Sequence, residues 1–175
     1  LIVDHLFARG HRRIAWITED GRNYFFQRTA ALFRAHCHGA GRSEQDCPVI
    51  PAASDPDKLG IRELGPCLRR LVGADGKLPF TAIVIASFVD GRTIIDALAH
   101  CGLDTPGDVA VVRLGTPDLE SDHVGRLTIA GRSSLQAATT VLDRLQWRWS
   151  NPAAPYESCY DTPTLCVLGS TGAPR

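Results

Sequence analysis

At 175 residues the chain is long enough to bury one sizeable core, and 44% hydrophobic residues point to packing rather than disorder. Nineteen Lys plus Arg balance nineteen Asp plus Glu. That balance removes the electrostatic case for a nucleic-acid surface or for docking on an anionic membrane, and no apolar run nears the ~20 residues of a membrane span.

No signal-peptide pattern opens the sequence. With no methionine anywhere, even at position 1, a piece of a longer chain is expected, so a missing leader says nothing about compartment. Six cysteines (Cys37, Cys47, Cys67, Cys101, Cys159, Cys166) include no CxxC pair. Buried thiols in a reducing cytoplasm are expected rather than a disulfide framework, as for Cys166 inside the apolar "TLCVLGS".

In chain order, "IVDHLFAR" (2–9) sets Ile2, Val3, Leu6 and Phe7 on one helical face, and Gly10 supplies a C′ stop. "RRIAWIT" (12–18) holds a continuous apolar run that suits a strand covered on both faces. His11 and Arg12 thus sit at a helix-to-strand turn, where a helix C-terminus favours basic groups. "NYFFQRTAALFRAHCHGAG" (23–41) reads as a helix ending at Gly39 or Gly41, with Phe25, Thr29, Leu32 and Phe33 near one face. "CPVIPA" is a short strand. "SDPDKLGIRELGPCLRRLVG" (54–73) starts a helix with Ser54 or Asp55 as cap and Pro56 in the first turn, and carries Leu59, Leu64, Leu68 and Leu71.

"FTAIVIAS" (80–87) is the clearest strand, "DGRTIIDALAHCG" (90–102) a helix closed by Gly102, and "VAVVRL" (109–114) another buried strand. "LTIAG" (127–131) is a further short strand. "SSLQAATTVLDRLQWRW" (133–149) is a helix capped by Ser133 or Ser134, and "TLCVLGS" (164–170) is a late strand. Alternating strands and helices imply a doubly wound α/β fold with a parallel sheet, whose ligands bind beyond the carboxyl ends of the strands. Here that edge comprises residues 18–20, 51–54, 87–90 and 115–118.

Four stretches, in order, resemble the lactose/galactose-repressor (LacI/GalR) family. "DHLFARGHRRIAWI" is similar to its HLxxxGHRRIAxI pattern. "FTAIVIASFVDGRTIIDALAHCGLDTPGDVAVVRLGT" is similar to PTAIxxxNDxxAxGxxxALxxxGLxVPxDVxVVGFDD, "RLTIAGRSSLQAATTVLDRL" to LTTVxQPxxxxGxxAxxxLL, and "LGSTGAPR" to a closing RxSTxPP. The resemblance implies a type I periplasmic-binding-protein-like effector domain, with two α/β lobes around a ligand cleft. By that mapping, residues 1–10 and about 128–150 belong to a first lobe, and about 11–127 and 158–170 to a second. A DNA-binding headpiece and most of the first lobe would lie outside these residues.

The same resemblance implies the effector site. Arg28 matches the family arginine that grips a sugar hydroxyl or carboxylate with its five-donor fork. Ser87 and Phe88 stand in place of an Asn-Asp pair, so a shorter hydroxyl and an apolar ring replace two polar groups. Gly115 and Thr116 replace the family's paired aspartates, and Asp118, close by, is a candidate substitute. Asp90 could also face the cleft, although residues at such positions more often cap a helix. Near residue 55 the family often stacks an aromatic side chain, where this chain has Asp55.

The function expected is sensing of a sugar-like effector by a cytoplasmic, homodimeric regulator that reaches DNA through the absent headpiece, with no cofactor and no membrane. A solute-binding protein of an ABC-type transporter, which shares the fold, is the alternative. Enzymatic readings find no constellation. His36, Cys37 and His38 lie about 100° apart round a helix and cannot all face one metal ion. Cys101 beside His100 makes no spatial dyad, and nucleophile-elbow and phosphate-loop motifs are absent. "WRW" (147–149) is expected to cover a lobe or subunit interface.

Overall fold

The computed structural model describes residues 1–18, 23–52, 64–86, 89–119, 126–159 and 162–174. It contains α1 (Ile2–Ala8), β1 (Ile14–Thr18), α2 (Tyr24–Gly39), β2 (Val49–Pro51), α3 (Leu64–Leu71) and β3 (Ala82–Ala86). These are followed by α4 (Gly91–Ala99), β4 (Ala110–Leu114), a 3-10 turn (Pro117–Leu119), β5 (Thr128–Gly131), α5 (Ser134–Ser150) and β6 (Thr164–Cys166). One six-stranded sheet has the order β2-β1-β3-β4-β5-β6. The first four pairings are parallel, while β6 lies antiparallel on β5, at the edge. The doubly wound α/β architecture expected from the alternating elements is therefore the one found.

The strand runs are continuous because both faces are covered. One face carries Ala15, Ile17, Ile83, Ile85 and Val111, buried under Leu64 and Leu68 of α3 and Ile94 and Leu98 of α4. The other carries Ile14, Trp16, Ala82, Val84 and Val112, buried under Val3 and Leu6 of α1 and Phe26, Ala30 and Phe33 of α2. Each fully buried leucine or isoleucine contributes roughly 1.5–3 kcal/mol. Gly10 turns α1 into β1 with φ +95°, a left-handed conformation that a side chain resists. Both α1 and β5 pack into this sheet, whereas α5 projects from it with no residue buried.

On α2, Phe25, Thr29, Leu32 and Phe33 line one groove, with Phe25 and Leu32 exposed, while the buried stripe runs through Phe26, Ala30, Phe33 and Cys37, at i, i+4, i+7 and i+11. One expectation is corrected. Cys159 and Cys166 are exposed rather than buried; Cys166 lies on β6, a three-residue edge strand of which only Leu165 packs against the core. The proposed helix start at 54–56 and Leu59 lie outside the described residues.

At the amino end of the sheet, the closing "GST" segment forms a polar knot. Ser170 Oγ donates to Val111 O at 2.6 Å and accepts from the Thr128 amide at 2.7 Å. Thr128 Oγ1 accepts from the Leu168 amide at 3.0 Å. Thr171 holds His5 Nε2 at 3.0 Å through its hydroxyl and Arg9 through its carbonyl. His11, 1% exposed, bridges Thr81 Oγ1 at 3.0 Å and Gly172 O at 2.8 Å. A carbonyl only accepts, so Nε2 carries the proton and Nδ1 accepts from the threonine. The basic cluster at the first turn is a structural latch.

A candidate ligand cavity at the carboxyl edge

Beyond the strand ends, a cavity of about 940 Å³ opens between α2, the start of α1, the ends of β4 and β5, and the first turns of α5. Its size is within the range of small-molecule sites. The floor is apolar, with Trp16, Phe26, Phe33 and Ala130, and the Trp16 and Phe33 rings lie 5.0 Å apart. The open side of α2 contributes Phe25, Thr29 and Leu32. Arg113, Gly115, Thr116, Arg132 and Ser134 also line the cavity.

Neighbouring polar atoms are unevenly served. Trp16 is 4% exposed and its Nε1 has no hydrogen-bond partner among the described residues; the same holds for the Thr18 hydroxyl, at 7% exposure. Arg113 is buried at the fourth position of β4, in register with Ile85 and Ile129. Burial pulls its guanidinium below the ordinary arginine value, and the Asp90 carboxylate pulls the other way. His36, on the cavity wall, is held by Asp4 at 2.6 Å. No aspartate or glutamate lines the cavity among the described residues.

The described residues expected to bind an effector separate into three groups. Thr116 lines the cavity. Asp90 and Asp118 serve as helix caps. Asp90 accepts from the Thr93 amide at 3.0 Å and the Thr93 hydroxyl at 2.7 Å, which together hold its carboxyl below the usual value. Asp118 accepts from the amides of Ser134 and Leu135 and from the Ser133 hydroxyl, with the Ser134 amide the largest cause of its lowered pKa. Its carboxylate ties α5 to the strand-end turn. Arg28 is exposed on the first turns of α2, where Nη1 donates to Tyr24 Oη at 3.1 Å. Ser87, Phe88 and Asp55 lie outside the described residues.

Sequence reasoning missed Trp16, Arg113 and Arg132. Arg113 had a visible signal, since a cation interrupts the otherwise apolar "VAVVRL" where the family pattern has glycine. Trp16 had none, being indistinguishable from any core aromatic. Two glycines set the mouth's shape. A Cβ on Gly131 would collide with the Gly115 carbonyl oxygen, and the Gly115 amide donates to Ala130 O at 3.1 Å.

Other chemistry finds no support. Cys37 is pushed up to about 12, by burial first and then by Cys47 beside it, which leaves it an inert thiol. Cys101 approaches Gly65 O while His100 Nδ1 meets Asp96 O, so the two do not form a dyad. Among the described residues no three His, Cys, Asp or Glu side chains gather as a metal site. None of the described helices is long and apolar enough to cross a membrane.

A family model described as a periplasmic binding protein-like domain matches residues 3–171. Among solved structures, a LacI family transcriptional regulator from Mycobacterium smegmatis is 25% identical with a TM-score of 0.72, covering 98% of this chain and 62% of that one. A LacI family regulator from Enterococcus faecium with bound ribose is 15% identical, TM-score 0.75, covering 98% and 60%. A sugar-binding LacI family regulator from Escherichia coli complexed with phosphate is 18% identical, TM-score 0.69, covering 99% and 59%. The chain thus spans less than two thirds of the length of these structures. No curated protein matches it.

Proposed function

This chain belongs to the periplasmic binding protein-like domain family, and we propose that it is the effector-sensing part of a LacI-type transcriptional regulator. The observation that carries the reading is the one sheet with an open, cavity-bearing carboxyl edge, the place where open α/β sheets take ligands. The unburied α5 supports it further. Leu135, Leu142, Leu145 and Trp149 are exposed along that helix, an apolar surface that suits packing against a first lobe and that a lone domain would not keep bare.

In this reading a sugar-like effector enters between the two lobes. It binds the closed arrangement better than the open one, and only that differential affinity can move the equilibrium. The bias passes to a DNA-binding headpiece outside these residues, in a cytoplasmic homodimer. Arg28, Ser87, Phe88, Asp90, Thr116 and Asp118 are the proposed effector contact set, of which Thr116 lines the cavity. Arg28 is the discriminating member, because its exposure makes substitution cheap for the fold.

The test is a thermal-shift series with neutral pentoses and hexoses, ribose first, on wild type and Arg28→Ala. A sugar is expected to raise the wild-type melting temperature. Arg28→Ala should abolish that rise while its ligand-free melting temperature stays within about 2 °C of wild type, as for a surface change. A variant that is still stabilised removes Arg28 from the site, and a panel with no effect on wild type removes the sugar-sensing reading.

A further inference from the structure

The apolar core beneath α2 ends at a pair of thiols. Cys37, the last residue of the buried stripe of α2, and Cys47, two residues before β2, are each 2% exposed, and neither is in a disulfide. Their side chains meet at hydrogen-bond range. Both placements are rigid. Cys37 is fixed by its helix, and Cys47 stands between Asp46 and Pro48, whose carbonyls accept from the Ile14 and Trp16 amides at 2.9 Å. Both cysteines line a second cavity of about 370 Å³, whose exposed side carries Arg34, His38, Ser43 and Glu44. Of the run His36-Cys37-His38 only the cysteine is buried, and His36 is held by Asp4 at 2.6 Å.

Either cysteine alone would be a small hydrophobe. Two sulfurs converging from separate elements on one cavity make a chelating pair, and its chemistry selects the guest. Burial first, and then Cys47, push the Cys37 thiol up to about 12, so a reagent that needs a standing thiolate finds none. A soft metal ion does not need one, because a coordinating thiol loses its proton to the metal. Two sulfurs fall short of the three or four ligands of zinc, and no larger cluster of His, Cys, Asp or Glu gathers among the described residues. Hard cations take six or more oxygens, which Ser43 and Glu44 do not supply. Thiolate pairs suit copper(I) and its silver analogue, which accept two ligands in line.

We propose that Cys37 and Cys47 clasp one soft monovalent cation of the copper(I) class, which enters through this second cavity. The ion replaces two thiol protons: M⁺ and two R–SH give an S–M–S bridge of net charge −1 and two H⁺, with no change of oxidation state. The bridge pins the end of α2 to the chain entering β2, and it is independent of what the larger cavity binds.

The test is calorimetric titration with silver nitrate, in chloride-free buffer, of the reduced full chain carrying Cys159→Ser and Cys166→Ser, which removes the two exposed thiols. One silver ion per chain is expected, with two protons released, counted by an indicator dye in weak buffer. Cys37→Ala and Cys47→Ala should each weaken the site at least roughly hundredfold, since loss of a mere outer partner already costs about 10–100-fold. Zinc nitrate should bind at least roughly hundredfold more weakly than silver. Fewer than two protons per ion, undiminished affinity in either alanine variant, or zinc as tight as silver overturns the proposal. So does an absence of saturable silver binding. The proton count and the zinc comparison leave the core unchanged, so they decide the matter even where an alanine variant fails to fold.

Discussion

At the amino end of the sheet, Thr128, Ser170, Thr171 and His11 answer one another's hydrogen-bonding atoms and those of the neighbouring backbone. At the carboxyl end, the Trp16 indole and the Thr18 hydroxyl are buried with no partner among the described residues. The first end closes on itself, as a structural core must when each unmet polar atom costs about 1–3 kcal/mol. The second holds unspent hydrogen-bonding capacity beside a cavity, the arrangement expected where a ligand completes the structure. The contrast also separates two kinds of basic residue. Arg9 and His11 look reactive in sequence and are bound inward, whereas Arg113 looks like an error in a strand and is buried near its carboxyl end.

The comparison breaks most sharply at the glycine pair of the mouth. Gly131→Val should cost about 3 kcal/mol or more, because the new side chain meets the Gly115 backbone, which has no rotamer to yield. Urea unfolding checks the loss, and a cost below about 1 kcal/mol would mean that β4 and β5 can separate freely at the carboxyl edge.

At the amino end, His11→Ala should cost about 2–4 kcal/mol, from a buried void together with unpaired groups on Thr81 and Gly172. The same histidine sharpens the comparison through pH. Burial lowers the pKa values of His11 and His5 below the ordinary 6.5. Between the folded and unfolded values the unfolded chain therefore binds more protons, and stability rises with pH. The stabilisation is complete above about pH 6.5 and is lost as pH falls below it, at no more than about 1.4 kcal/mol per pH unit for each group. Melting temperatures between pH 7.5 and 5.5 should fall for wild type and fall less for His11→Ala. Equal slopes would place the acid sensitivity elsewhere.

The smallest effect belongs to the carboxyl end. Thr18→Val removes a buried hydroxyl with no described partner and installs a good strand former of the same shape, so stability should stay within about 0.5 kcal/mol or rise. A loss above about 1 kcal/mol would show that the hydroxyl is already satisfied, and would weaken the contrast between the two ends.

Much of the architecture was legible because its signals are local. The continuous run Ala82–Ala86 needs cover on both faces, Gly10 needs a left-handed stop, and Ser133 and Asp90 cap helices where their spacing says they should. The LacI-type resemblance rested on the same segments. The buried face of α2 was not legible, because Phe25 and Phe26 are adjacent and a rotation of about 100° decides which one meets the sheet. The bonds by which Asp118 tethers α5 were not legible, being made to residues fifteen to seventeen positions away.

The amino-acid sequence by itself determined the alternation of strands and helices, their punctuation and the class of fold, since periodicity, caps and turn residues act over a few positions. Which polar atoms are satisfied was decided only by the tertiary structure. His11 finds Gly172 across 161 positions, and Trp16 comes to share a cavity wall with Arg113 and Arg132 through the strand order β1-β3-β4-β5. A hydrogen bond or an orphaned donor is a relation between distant residues, and only the packed sheet brings those residues together.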